Sequence, residues 1–325
     1  MLTAALFAFV VVAAASPETD ALVDRADEQF RQGNKAEALA LSEEALGLEA
    51  NADTLDVVMR FHFELGHLDL SAVYATQIAD LYAEDPSMAV SLAGAMRSLI
   101  VIENARGNFD GAMAHALTAW GLVCEPAPDL DLERAVVAFD LGKLIGELGG
   151  YRQARQCVEA ALAIRVDALG PDAAELVEVL KDLSGLVRAE DAVRARELAE
   201  RGLAIAEAHQ GPQSLAVARL AATLGVALQE LGDYKAAEVA YRRGLDILIT
   251  LEEVEEIARV LNSLAHLARL RGRSDEALSL YQRSLQGFLA ANGDDGWDVP
   301  LVHNNLGSLL AERGDLLAAR RHLER

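Results

Sequence analysis

The chain has 325 residues and a formal net charge of −22, from 51 acidic and 29 basic side chains; 52% of it is apolar and only 5% aromatic. That supplies a large core and, being rich in Ala, Leu and Glu, favours helices over strands. So acidic a surface repels nucleic acid and anionic lipid, and no apolar run reaches the roughly 18 to 20 residues that span a bilayer.

Residues 1–15 open the chain with an uncharged apolar run from Leu2 to Ala15 and the small residues Ala13, Ala14 and Ala15 before Ser16 and Pro17. This is the apolar region and cleavage pattern of a secretory leader, although it lacks a preceding Lys or Arg, and it predicts an exported, periplasmic or cell-envelope protein. A first helix packed on the repeats, or an uncleaved anchor, are the alternatives. From residue 16 to 325 one pattern recurs: a turn glycine, then a small residue five places on. It reads GNKAEA at Gly33, GHLDLS at Gly66, GNFDGA at Gly107, GGYRQA at Gly149, GDYKAA at Gly232, GRSDEA at Gly272 and GDLLAA at Gly314. A worn copy, EDAVRA, puts Glu190 where the glycine belongs.

Small residues at that phase are Ala38, Ser71, Ala112, Ala154, Ala195, Ala237, Ala277 and Ala319; seven places on come Ala45, Ile78, Ala119, Ala161, Gly202, Gly244 and Ser284. Two small side chains at fixed phases let a helix approach its neighbour closely. Before the last turn, Val302, Leu306, Leu309 and Leu310 form an apolar stripe at i, i+4, i+7 and i+8, with Leu264 and Leu267, and Leu224 and Leu228, as counterparts in the two preceding copies. Each copy is therefore expected to be two antiparallel helices that bury their faces only when stacked. By the same register Cys124 and Cys157 lie on equivalent helices nine residues apart in phase, roughly 13 Å at about 1.5 Å per residue. A disulfide needs about 7 Å or less, so two buried free thiols are predicted.

In this phase of turn glycine and small residues the chain resembles the tetratricopeptide repeat family. The spacings of 33, 41, 42, 41, 42, 40 and 42 residues, with Gly-Pro connectors in ALGPDAAELVEVLKDL (168–183) and HQGPQSLAVARLAATLG (209–225), resemble its kinesin-light-chain-like branch. The resemblance implies an all-α solenoid, a right-handed superhelix of about eight hairpins, in which the first helix of each lines a concave, peptide-holding side. It is weakest at Gly66 and Glu190, which puts even curvature in doubt.

No catalytic or cofactor motif is legible. Gly142-Lys143 is followed by Leu144 rather than the Ser or Thr of a phosphate loop, and His62 and His67 flank the Gly66 turn without further ligands at metal spacing. The chain is expected to be no enzyme and to need no cofactor or metal. Acidic runs such as EEVEE (252–256) read as solvated connectors.

What remains is surface. The phase implied by the resemblance selects Leu301, Asn304, Asn305, Ser308, Ala311 and Glu312 in the last copy, and Arg259, Asn262, Ser263, His266 and Arg269 before it. The copy before that adds Arg219, Thr223, Gln229 and Glu230. Asn262 and Asn304 share one phase and Ser263 and Asn305 the next, an amide and hydroxyl ladder flanked by arginines. Such a face can satisfy the main chain of an extended peptide while Arg219, Arg259 and Arg269 select carboxylates; the same side chains could instead bond one another and fix the stacking. The expectation is a protein-interaction scaffold whose partner is a protein or peptide with acidic residues. A regulatory or sensor module of a larger signalling polypeptide is the alternative, kept open because the chain stops eleven residues after Gly314, through truncation or as a short polar cap.

Overall fold

The computed structural model describes residues 16–83, 85–124, 132–293, 296 and 298–324. The leader expected at residues 1–15 lies outside them. The described residues form helices and no strand. They divide into two compact units, the described residues up to 168 and those from 169 on.

In the first unit the hairpins are α1 (Pro17–Arg31) with α2 (Lys35–Leu48), α3 (Ala52–Glu64) with α4 (Leu68–Ala83), α5 (Ala89–Ala105) with α6 (Phe109–Val123), and α7 (Leu132–Glu147) with α8 (Tyr151–Leu169). In the second they are α9 (Leu176–Val187) with α10 (Ala192–Gln210), α11 (Leu215–Glu230) with α12 (Tyr234–Thr250), α13 (Val254–Leu270) with α14 (Ser274–Asn292), and α15 (Asp298–Glu312) with α16 (Leu316–Leu323). A single 3₁₀ turn, Pro86–Met88, precedes α5. All eight predicted hairpins are present.

The turn chemistry explains the repeated motif. At Gly232 the backbone is left-handed (φ 78°), which lets its N–H reach the Gln229 carbonyl and the next N–H, of Asp233, reach that of Leu228, each at 3.0 Å. This closes the first helix with the two hydrogen bonds of a Schellman motif. Asp233 then caps the next helix by accepting from the Ala236 N–H at 3.0 Å, as Asn108, Asp191 and Asp315 do in other copies. One residue thus ends a helix and its neighbour starts the next.

Glu190, the expected glycine replacement, does not take that conformation. Both Glu190 and Asp191 donate to the Val187 carbonyl, at 3.0 and 2.8 Å, so the turn closes without a left-handed residue and α9 ends early. The described residue other than glycine that is left-handed is Glu252 (φ 59°), between α12 and α13, where a side chain costs about 1 kcal/mol.

The small-residue phases behave as predicted. Ala38, Ser71, Ala112, Ala154, Ala195, Ala237, Ala277 and Ala319 are all buried, as are Ala45, Ile78, Ala119, Ala161 and Ser284. A Cβ on Gly244 would stand 2.8 Å from the Ala218 carbonyl oxygen, and one on Gly202 2.9 Å from Leu220. Where serine takes such a place its hydroxyl donates across the interface: Ser71 to the Met59 carbonyl at 3.0 Å, Ser284 to that of Ala258 at 2.7 Å. Val302, Leu306 and Leu309 are fully buried with Tyr281 and Phe288 in one cluster of the second unit. Leu224 and Leu228 are only half-buried; the core line of α11 runs through Val217, Leu220 and Ala221 instead.

The cysteine expectation is overturned. Cys124 and Cys157 form a disulfide with their Cα atoms 4.5 Å apart, and no described cysteine is free. Axial rise along parallel rods does not describe how α6 and α8 meet. Cys124 is the residue that caps α6, and the C-terminal end of α6 meets α8 near Cys157.

Candidate functional site

The predicted face of the second unit is built by α11, α13 and α15, and six of its nine predicted residues find a partner one repeat away. The Arg219 guanidinium donates to Glu256 through Nε at 2.9 Å, with Nη2 at 2.8 Å. Arg259 pairs with Glu255 on its own helix and reaches Asp298 of α15 at 3.3 Å. Arg269 holds the Glu312 carboxylate bidentately, at 3.0 and 2.5 Å, and this fork keeps Glu312 below, and Arg269 above, its ordinary pKa.

The amides pair diagonally. Asn305 Nδ2 donates to Asn262 Oδ1 at 3.0 Å, so the rung joins neighbouring phases rather than the equal ones expected. Asn304 is left exposed with no hydrogen bond among the described residues. Ser308, half-buried, also has none, whereas the Ser263 hydroxyl donates to the Arg259 carbonyl at 3.2 Å. His266 Nδ1 lies 3.2 Å from Gln229 Nε2; burial, then the nearby Arg269 charge, lowers its pKa and favours a neutral ring.

All nine predicted residues therefore lie on one polar seam across three first helices, but the three arginines carry carboxylates of the chain itself. An incoming acidic group would exchange with Glu256, Asp298 or Glu312 rather than meet a bare cation. Reasoning from sequence placed Glu312 on this face without pairing it with Arg269 and missed Asp298 and Glu256; Glu255 and Glu256, read as a connector, belong to the first turn of α13. A signal was available: the cross-helix pairs are separated by 37, 39 and 43 residues, close to one repeat. Among the described residues no group of three or more His, Cys, Asp or Glu could hold a metal ion, and no helix is long and apolar enough to cross a membrane.

Models of the tetratricopeptide repeat match residues 217–251 and 256–325. Protein KINESIN LIGHT CHAIN-RELATED 1 of Arabidopsis thaliana is 26% identical over 245 residues, which are 74% of this chain and 40% of that protein. The chain thus spans well under half the length of this curated relative. BtubC (BKLC) from P. vanneervenii has a similar fold, with a TM-score of 0.54 at 21% identity over 70% of this chain and 92% of that one. So does a Rap protein complexed with Competence and Sporulation Factor, with a TM-score of 0.54 at 16% identity over 95% of this chain and 96% of that one. Each unit is a stack of antiparallel helical hairpins, the fold these solved structures share.

Proposed function

We propose that this chain, a carrier of tetratricopeptide repeats in residues 217–251 and 256–325, is a non-enzymatic scaffold that captures an extended segment of a partner protein on the α11–α13–α15 face. The observation that carries the reading is the open end of the amide ladder. Asn304 and Ser308 present unused donors and acceptors beside the Asn262–Asn305 pair, where a partner's main-chain N–H and C=O groups can bond without regard to side chains. Arg219, Arg259 and Arg269 add a secondary preference for acidic residues, limited because each gained ion pair displaces one already made. A relative of the fold was solved with a factor bound, which is in keeping with this use.

Partner capture with the native chain and with the Asn262→Ala/Asn304→Ala double variant tests the site. Each lost amide should cost on the order of 1 to 3 kcal/mol of affinity; unchanged capture by a variant of native helicity would remove the site from this face. The regulatory-module reading draws on the greater length of the kinesin-light-chain-related relative.

Export is the second part of the proposal. It is supported by the Cys124–Cys157 disulfide, since such bonds persist in oxidising compartments. The geometry at Ser16 also agrees. Ser16 caps α1 by accepting from the Thr19 N–H at 3.3 Å, and its own N–H donates to Glu49 Oε2 at 3.0 Å, a bond that holds the Glu49 carboxyl below its usual range. Cleavage after Ala15 would turn that amide into an ammonium facing the same carboxylate. Intact-mass measurement of the purified protein should find Ser16 as the first residue; retention of Met1 would end the export reading.

A further inference from the structure

In the Schellman motif that closes these hairpins, the residue after the turn glycine donates its N–H to the carbonyl of the residue four places before the glycine. At Gly66, which is left-handed, these two residues are His67 and His62, and the bond between them measures 2.8 Å. Side chains at the two positions face each other across the turn, where an apolar contact is usual. Two other hairpins of the first unit place a polar bridge there: Asn34 donates to Gln29 at 2.7 Å, and Asn108 to Glu103 at 2.5 Å. In the α3–α4 turn the bridge is made of two imidazoles, with Nδ1 of His62 3.2 Å from Nδ1 of His67.

An imidazole pair at this distance is a hydrogen bond only while one Nδ1 carries a proton and the other a lone pair. Two neutral rings meet that condition. So does one added proton on the exposed His67 ring, whose Nδ1 then donates. Two added protons break it, because both Nδ1 atoms become donors and two like charges meet. The second proton would have to enter His62, which is 3% exposed and stacked on Tyr74 of α4, with 5.5 Å between ring centroids. The buried Nε2 of His62 has no hydrogen-bond partner; the carboxylate facing it, exposed Glu43 of α2, stands 3.8 Å away. Burial first, and then the His67 charge, lower the His62 pKa, outweighing Glu43.

We propose that His62 and His67 form a proton-operated latch across the α3–α4 turn, closed near neutral pH and opened by mild acid. Opening frees the facing ends of α3 and α4, and with them the packing of Met59 against the α4 side of the first unit's core, where Ala75 and Ile78 lie. The closed pair accepts one added proton and the open pair two. With an ordinary histidine value near 6.5, opening is therefore favoured about tenfold more at pH 5.5 than at pH 7.5. The Gln29–Asn34 bridge carries no titratable group and supplies the internal control. The latch goes beyond partner capture on the α11–α13–α15 face and shares no residue with it.

Hydrogen exchange of the full chain, read by mass spectrometry with exchange times scaled to the intrinsic rate at each pH, tests the latch. His62→Gln/His67→Asn transplants the bridge of the first hairpin into this turn. It also keeps Asp56 of α3, which burial raises to about 7 against the pull of Arg60 and Arg97 and which acts in the opposite direction as pH falls. Relative to the variant, amides of residues 63–71 in the native chain should be equally protected at pH 7.5 and about tenfold less protected at pH 5.5. The Gln29–Asn34 turn should differ less than twofold between the two chains at either pH. Native and variant chains that respond alike to acid would overturn the latch, as would an equal difference at the Gln29–Asn34 turn, which would mark loosening of the whole unit. Should the variant not fold, nitrogen-15 NMR of the native histidines decides: one ring of the pair should stay neutral at pH 5.5, and two rings charging together near 6.5 would overturn the proposal.

Discussion

Replacing Gly244 by alanine tests whether small residues set the spacing of the second unit's helices. Alanine in a helix is ordinarily favoured over glycine by about 1 kcal/mol. At Gly244 of α12 the new methyl would lie 2.8 Å from the Ala218 carbonyl oxygen of α11, about 0.6 Å inside ordinary van der Waals contact. That oxygen belongs to a helical backbone and cannot rotate away, so α11 and α12 must part locally. A gap of 0.5 to 1 Å forfeits roughly a quarter to a half of each dispersion contact, and overpacking of this kind costs typically about 1 to 3 kcal/mol. The expected net effect is destabilisation by about 1 kcal/mol. Gly185 of α9, exposed and with nothing within 4 Å of its Cβ position, supplies the control: Gly185→Ala should stabilise by about 0.5 to 1 kcal/mol. At roughly 2 to 4 °C per kcal/mol for a unit of this size, the two variants should melt about 3 to 8 °C apart, on opposite sides of the native protein, by circular dichroism. If Gly244→Ala melts as high as Gly185→Ala, close helix approach does not depend on this glycine and the reading of the repeat fails.

Relief of the left-handed strain at Glu252 by Glu252→Gly should stabilise the second unit, although glycine's added unfolded-state entropy opposes this; a net gain of up to about 1 kcal/mol in urea unfolding is expected. Cys124→Ser/Cys157→Ser opens a loop closed over 33 residues and should cost about 3 to 4 kcal/mol, seen as a lower melting temperature for the first unit; a loss below about 1 kcal/mol would contradict it. Asp56 bears on stability through its proton. Its folded pKa of about 7 lies above the unfolded value near 3.9, so the folded state holds the proton more tightly and Asp56 destabilises increasingly as pH rises from about 4 to 7. Asp56→Asn should therefore stabilise at pH 8 and have little effect at pH 4; equal effects at the two pH values would refute the linkage.

The hairpins were legible because each depends on local chemistry: glycine takes the left-handed turn, Asn or Asp caps the next helix, and Ala, Gly or Ser fills the close approach. Those requirements recur at a fixed period, so Gly232-Asp233 and Ala237 announce themselves without any long-range information. Pairings between repeats were less legible. Asn305 bonds Asn262 rather than the residue at its own phase, and Cys124 meets Cys157, because helix crossing shifts neighbours by amounts that counting along one axis ignores. Asp53 and Asp56 of α3 occupy phases equivalent to Leu301 and Asn304 of α15. That Arg60 and Arg97 hydrogen-bond Asp27 and Asp140 is revealed by no spacing in α3.

Mechanically, the Cys124–Cys157 bond makes the first unit something other than a uniform spring. Tension along the backbone passes from the end of α6 through sulfur into α8 and bypasses α7 altogether. Extension of the oxidised chain should hold back about 33 residues, roughly 110 to 120 Å of contour at about 3.3 to 3.6 Å per residue. That reserve becomes available only on reduction, so α7 can open and close under load without lengthening the molecule.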